Sequence, residues 1–213
     1  MGRASRIGSQ LQRSHVLIGL TGNIATGKSE VARILVELGA HVIDADQVAH
    51  DVMRPGGPAY HAVVEAFGPH ILAADGTIDR GRLGAIVFRD PVALQRLEAA
   101  VHPATMVEVG RRIAQAPEQV VVVEAIKLIE TGMHRLYIAL WVVTAPRWLQ
   151  IARLVARRGL TEEQAALRVD AQPPQEEKVA LADQVIVNDG NLVLLRERVE
   201  SAWAAFQSGR ASP

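Results

Sequence analysis

Cysteine is missing from the 213 residues, so a disulfide framework and a thiolate metal site are both excluded. An excess of charge of one sign is missing too. Twenty-three Lys and Arg balance twenty-three Asp and Glu, which leaves no global field to draw the chain onto nucleic acid or an anionic membrane. Lysine is scarce, present only at Lys28, Lys127 and Lys178. No run approaches the roughly 20 apolar residues of a membrane span. The basic start, Met1 to Arg6, is followed by no apolar stretch of signal-peptide length before Ile24. Aromatic residues are few, and no basic aromatic array surrounds Trp141, Trp148 or Trp203, so packing is expected of them and not base stacking. These absences predict a soluble cytoplasmic protein that engages neither nucleic acid nor membrane.

What the chain does have is apolar content, at 49%, enough for a sizeable core. Residues 1–14 are polar and without periodicity, which predicts a disordered tail. His15 to Leu20 reads as a strand buried on both faces, followed by glycines at Gly22 and Gly27. Val31, Ile34, Leu35 and Leu38 then recur at helical spacing before Gly39, and His41 to Asp44 forms a second brief strand. Such a strand-helix-strand unit calls for a parallel crossover. From Gln47 to Ala116 helical segments are punctuated by Pro55-Gly56-Gly57-Pro58, Gly68-Pro69, Asp75-Gly76 and His102-Pro103. Strands resume at Gln119 to Glu124, Ile138 to Val143 and Gln184 to Val187. Helices are expected at 146–157, 161–171, 174–181 and from Leu192 to Phe206, with a frayed tail over 207–213. The alternation predicts an α/β three-layer fold with a parallel sheet of about five strands.

Gly22-Asn23-Ile24-Ala25-Thr26-Gly27-Lys28-Ser29 fits G-x-x-x-x-G-K-[ST], with a strand before it and a helix after it. Glycine lets successive N–H groups turn inward at phosphate oxygens, where a side chain would obstruct them. The helix beginning near Lys28 adds the positive end of its dipole. Lys28 is expected at the β- and γ-phosphates, and the Ser29 hydroxyl at Mg²⁺, with Glu30 closing the nucleotide-facing segment. The pattern specifies a nucleoside triphosphate but not its fate.

Asp44 and Asp46 stand two apart where the second strand ends, beside the carboxyl edge of the sheet where ligands bind. In extended chain both would face the same side. One carboxylate then suits Mg²⁺ or its waters, assigned to Asp44, and the other a hydroxyl proton, assigned to Asp46. The alternative is that one or both merely cap the following helix.

Around these motifs the chain resembles the dephospho-coenzyme A kinase family. The resemblance runs through Leu20 to Ser29, Val42 to His50, Pro55-Gly56, Phe67-Gly68, Asp75 to Arg80, Leu83, Val87-Phe88 and His102-Pro103. It continues through Arg168, Ala171-Gln172, Lys178, Ala182-Asp183 and Ile186 to Gly190, and so covers about residues 16–200 in order. It implies transfer of the γ-phosphate of ATP, with Mg²⁺, to the 3′-hydroxyl of dephospho-CoA as the small-molecule substrate. It also implies a P-loop kinase core (15–46, 117–146 and 182–206), a helical substrate-binding insertion (47–116) and a helical lid (147–181). Asp46 matches the family's base, and Arg153, Arg157 and Arg158 are placed to close on the phosphates. Two departures stand out: Ala125-Ile126-Lys127-Leu128-Ile129-Glu130 replaces a proline-containing stretch, and Asn23-Ile24-Ala25 stands where glycines are common. The second predicts altered loop stiffness with phosphate binding kept.

The remaining candidates each have two readings. Arg80 holds the substrate near the transferred phosphate or makes a surface salt bridge. His102 donates to the substrate or packs at a helix break. His50, one turn beyond Asp46, faces the same crevice or solvent. Arg153 and Arg157 share a helix face at i, i+4, suited to developing phosphoryl charge or to a solvated basic face. Asn188-Asp189-Gly190 packs on adenine or is an ordinary turn. Kinase activity on another small hydroxylated metabolite or nucleotide remains the alternative, because the insertion and not the phosphate loop selects the acceptor. A nucleotide-dependent switch is the third reading, although no guanine-reading Asn-Lys-x-Asp segment is present. A monomer or small homo-oligomer is expected.

Overall fold

The computed structural model describes residues 15–211; the tail expected over 1–14 lies outside them. Five parallel strands form one sheet: β1 (Val16–Thr21), β2 (His41–Asp44), β3 (Val120–Glu124), β4 (Ala139–Thr144) and β5 (Gln184–Val187), in the order β2-β3-β1-β4-β5. The middle strands are continuous apolar runs because both faces are covered. In β3 the alternation of a pleated strand sends Val121 and Val123 into one core and Val120 and Val122 into the other.

The second of these cores is closed by α1 (Lys28–Glu37) and the terminal helix α9 (Leu192–Ala211). Val31, Ile34 and Leu35 of α1 recur on one stripe and are buried against Ile18, Leu20 and Trp141. The helix stops where Gly39 takes φ 92°, with Gly39 N–H donating to Val36 and Ala40 N–H to Leu35, a Schellman ending. The expected end of α9 at Phe206 is too early. The helix runs on to Ala211, so the frayed tail expected from residue 207 is helical over most of its length.

The other face carries α2 (Ala45–Asp51), α3 (Tyr60–Phe67), α4 (Arg80–Val87) and α5 (Pro91–Gln115), all between β2 and β3. Here one expectation fails. His102-Pro103 does not break a helix, because α5 continues through Pro103 for 25 residues. Pro103 is exposed while Val101, Thr105 and Val109 are buried. Tertiary packing of that stripe outweighs the roughly 3 kcal/mol that an interior proline costs a helix. Between β4 and β5 lie α6 (Arg147–Arg158), α7 (Glu162–Asp170) and α8 (Gln175–Val179). Ile151, Leu154, Ala165 and Val169 form a small core of their own, against which Ile24 and Ala25 of the glycine loop pack. Trp141 and Trp203 are buried, but Trp148 on α6 is 65% exposed, so the packing expected of it is absent. Among the described residues no helix is long and apolar enough to cross a membrane.

Candidate functional site

The loop from Gly22 to Gly27 leaves the carboxyl end of β1, in the middle of the sheet. Gly27 caps α1 with φ 97°, and a Cβ there would run into the Asn188 amide. A Cβ on Gly22 would meet the Val143 carbonyl. Both glycines are therefore required by close approach as well as by conformation. Ala25 takes the left-handed φ of 57° without being glycine, a strain of about 1–2 kcal/mol.

That strain is held by a dense set of contacts from α6, from the turn between α7 and α8 and from the loop after β5. Arg153 donates to the carbonyls of Ala25 and Thr26, at 3.1 Å each, and to the Asn188 side-chain oxygen at 2.9 Å. The Asn188 amide donates to the Thr26 carbonyl at 2.7 Å. On the other side the Ile24 N–H donates to the Gln172 side-chain oxygen at 2.6 Å, and Asn23 Nδ2 to the Pro173 carbonyl at 2.9 Å. Thr26 Oγ1 closes the turn on the Asn23 carbonyl. What remains is the anion-binding edge: no described group accepts from the N–H of Ala25, Gly27, Lys28 or Ser29. The Lys28 ammonium is folded back on the Asn23 carbonyl at 3.3 Å, and burial lowers its pKa against the pull of Glu124 and Asp46.

Opposite the loop stands an acidic wall. Strand register sets Asp44 directly beside Glu124 at the carboxyl ends of β2 and β3. Glu124 is 7% exposed, accepts from Ser29 Oγ at 3.3 Å, and has its pKa raised by burial. Asp44 is the N-cap of α2, accepting from Gln47 N–H at 2.8 Å. The expectation of two carboxylates aligned along extended chain is thus corrected. The strand ends at Asp44, and Asp46 lies in the first helical turn. It still faces Lys28 because α2 starts at the edge of the crevice. Its Oδ2 accepts from Ile126 N–H at 3.3 Å. The Asp46 carboxyl is open to the cleft, yet the protein crowding around it raises its pKa, with Asp44 adding to the rise and Ile126 N–H and Lys28 opposing it.

Together these residues line a cleft of about 570 Å³. Of the sequence-derived candidates, Ile24, Ala25, Gly27, Lys28, Ser29, Glu30, Asp44, Asp46, Arg153, Arg157, Asn188 and Gly190 border it. Gly22, Asn23 and Thr26 lie behind it and shape the loop. His50, Arg80 and His102 lie outside the cleft. Arg80 makes no salt bridge among the described residues, and Asp79 pairs with Arg82 instead. It sits close enough to His50 to help burial lower that imidazole's pKa, while Asp46 opposes this. His102 is exposed on α5. Arg153 is committed to the loop backbone, whereas Arg157 and Arg158 at the rim carry no ion pair among the described residues. Sequence reasoning gave Glu124 no role. An acid closing an otherwise all-valine strand was its available signal. Gln172 and Lys178 were carried only by the resemblance.

The residues present suit the groups that the motifs imply. Partnerless amides at a helix N-terminus, with a lysine between them, fit a polyphosphate. Ser29, Asp44, Asp46 and Glu124 offer hard oxygen donors. Such donors are of the kind that a hydrated Mg²⁺ takes.

A central parallel sheet, a G-x-x-x-x-G-K-S loop at its carboxyl edge and facing carboxylates define a P-loop kinase. The fold alone is shared with the shikimate kinase of Acinetobacter baumannii, at TM-score 0.53 and 17% identity. The family model described as dephospho-CoA kinase matches residues 16–193, and the chain belongs to that family. Curated relatives include the dephospho-CoA kinase of Symbiobacterium thermophilum, 44% identical over 91% of this chain and 82% of that one. That of Streptomyces avermitilis is 47% identical over 88% and 92%. The dephospho-CoA kinase structure from Campylobacter jejuni superposes at TM-score 0.66 with 28% identity, covering 91% of this chain and 98% of that one. A crystal structure from Thermus thermophilus reaches TM-score 0.81 with 33% identity, over 90% and 97%.

Proposed function

We propose that this enzyme transfers the γ-phosphate of ATP to the 3′-hydroxyl of dephospho-CoA, giving coenzyme A and ADP, with Asp46 as the base. The observation that carries the reading is Asp46 facing Lys28 across the cleft, with a carboxyl pKa raised by its surroundings. The free amides of the loop and Lys28 take the β- and γ-phosphates. Asp46 accepts the hydroxyl proton and orients the oxygen for in-line attack. The new P–O bond forms as the bond to ADP breaks, and ADP leaves with that electron pair. A raised pKa makes the Asp46 carboxylate a stronger base than an ordinary aspartate.

Ser29, Asp44 and Glu124 would hold Mg²⁺, directly or through water, and when bound it would supply charge neutralisation for the phosphates. The insertion spanning 47–116 takes the substrate, with His50, Arg80 and His102 on its side, and α6 to α8 act as the lid. Arg157 supplies lid charge to the transferred phosphoryl group, and Arg153 shapes the loop that receives it. Asn188 and Gly190 border the nucleotide end. We place the enzyme in the cytoplasm, whose reducing character suits a chain without cysteine, as a monomer or small homo-oligomer.

The test is ADP release by purified protein with and without dephospho-CoA and Mg²⁺. Strong stimulation by both is expected. ATP binding without stimulation by dephospho-CoA overturns the acceptor assignment.

A further inference from the structure

Lys178 is one of only three lysines in the chain, and the reaction described above gives it no task. It is 3% exposed, at the end of the short helix α8 that leads back into β5. An ammonium is rarely buried unless it is paired and hydrogen-bonded, and this one has two partners. It donates to Glu130 Oε1 at 2.7 Å and to the Ile126 carbonyl at 2.9 Å. The same carbonyl accepts from Thr21 Oγ1 at 3.1 Å, immediately before the glycine loop. Ile126 is therefore gripped from the lid side and from the loop side at once.

The other end of Ile126 reaches the reaction centre. Its N–H is the one hydrogen-bond donor to the Asp46 carboxylate among the described residues, at 3.3 Å. Residues 126 to 130 form a turn after β3, outside any ladder or helix. Within it the Ile126 carbonyl is held by Lys178 and Thr21. We propose that Lys178 is a positioning residue, holding the Ile126 backbone so that its N–H orients the Asp46 carboxylate toward the acceptor hydroxyl. This rests on Asp46 being the base. Glu130 steers the ammonium and offsets its burial. Lys178 belongs to the segment whose Gln172 accepts from the loop's Ile24 N–H and whose Pro173 accepts from the Asn23 side chain, so the same stretch orients both the phosphate cradle and the base.

A double-mutant cycle between Lys178→Met and Asp46→Asn tests this. Methionine keeps an unbranched apolar stem of nearly the same length but donates nothing. In the parent enzyme Lys178→Met is expected to lower kcat by at least about 10-fold, the scale of a small misplacement of a reacting group, while the KM for ATP moves less than about 3-fold. In the Asp46→Asn background the same change is expected to lower kcat less than about 2-fold, because the group it positions is gone. Equal losses in both backgrounds, or a raised KM for ATP with kcat kept, overturn the proposal. If Lys178→Met fails to fold, the cycle is run with Thr21→Val, which removes the other donor to the Ile126 carbonyl. A loss confined to the Asp46 background supports the proposal, and an additive one overturns it. Full activity in Lys178→Met also overturns it, while leaving the role of Asp46 to stand or fall on Asp46→Asn alone.

Discussion

Asp46 combines two opposing demands. As a base it must be ionised, yet crowding by the protein and by Asp44 makes ionisation harder than in the unfolded chain. A carboxyl with a raised folded pKa contributes stability that is complete below the unfolded pKa and is lost as pH rises through the folded one. Once ionised, Asp46 therefore weakens the fold, as does Glu124, whose pKa is raised in the same direction. Asp46→Asn is expected to lower kcat by about 10²–10⁴-fold, the range for loss of a general base, with ATP affinity nearly unchanged in a titration. The same variant is expected to melt at a higher temperature than the parent at pH 7. That gap should close as pH falls through the folded pKa of Asp46. Activity carries the complementary signature: kcat/KM, which reports the free enzyme, falls on the acid side at a pH above the ordinary aspartate value of about 3.9. An acid limb at or below that value, read from a pH–kcat/KM profile, contradicts the assignment.

Among the elements, α6 divides Arg153 and Arg157, two of the three arginines it turns to the cleft, by task. Arg153 makes four hydrogen bonds to the loop and Asn188, so Arg153→Ala leaves the strained Ala25 turn unsupported. Its expected effect is a higher KM for ATP together with a loss of about 1–3 kcal/mol in denaturant unfolding, from acceptors left unpaired. Arg157, one turn on and without an ion pair among the described residues, is expected to show the reverse when changed to alanine: kcat falls and stability moves by less than about 0.5 kcal/mol. Identical behaviour of the two variants contradicts the division. In α5 the exposed Pro103 deprives the Ala99 carbonyl of its helical donor, and alanine there restores it. Pro103→Ala is expected to stabilise the fold by about 1–3 kcal/mol, measured in urea.

Across the whole molecule, one loop links the helices on either side of it. Ile24 and Ala25 pack on the small core of α6 and α7, and Arg153 and Gln172 bond to its backbone. Occupying the loop thus bears on α6 to α8 as well as on the sheet. ATP with Mg²⁺ at about 100 times its Kd is expected to stabilise the fold by about 2.7 kcal/mol, or about 5–10 °C in melting temperature. Chelating Mg²⁺ should reduce most of that shift. An unchanged melting temperature with saturating ATP and Mg²⁺ contradicts the nucleotide site.

The glycine loop, the five strands and the two acids at 44 and 46 were legible along the chain, because strand alternation, helical spacing and the phosphate motif are local patterns. Nearest-neighbour order alone placed Gly27 at a helix start and Asp46 within a turn of a strand end. Packing decided the rest. The continuity of α5 through Pro103 depends on a buried stripe that outweighs a local helix breaker. The pairing of Glu124 with Asp44 depends on which strands lie side by side, and the use of Arg153 depends on a loop 127 residues away in sequence. Lys178 lies 52 residues from Ile126 and reaches it only in the folded chain. Contacts over such separations are set by how buried surfaces fit together, and that fit has no counterpart in the spacing of residues along the chain.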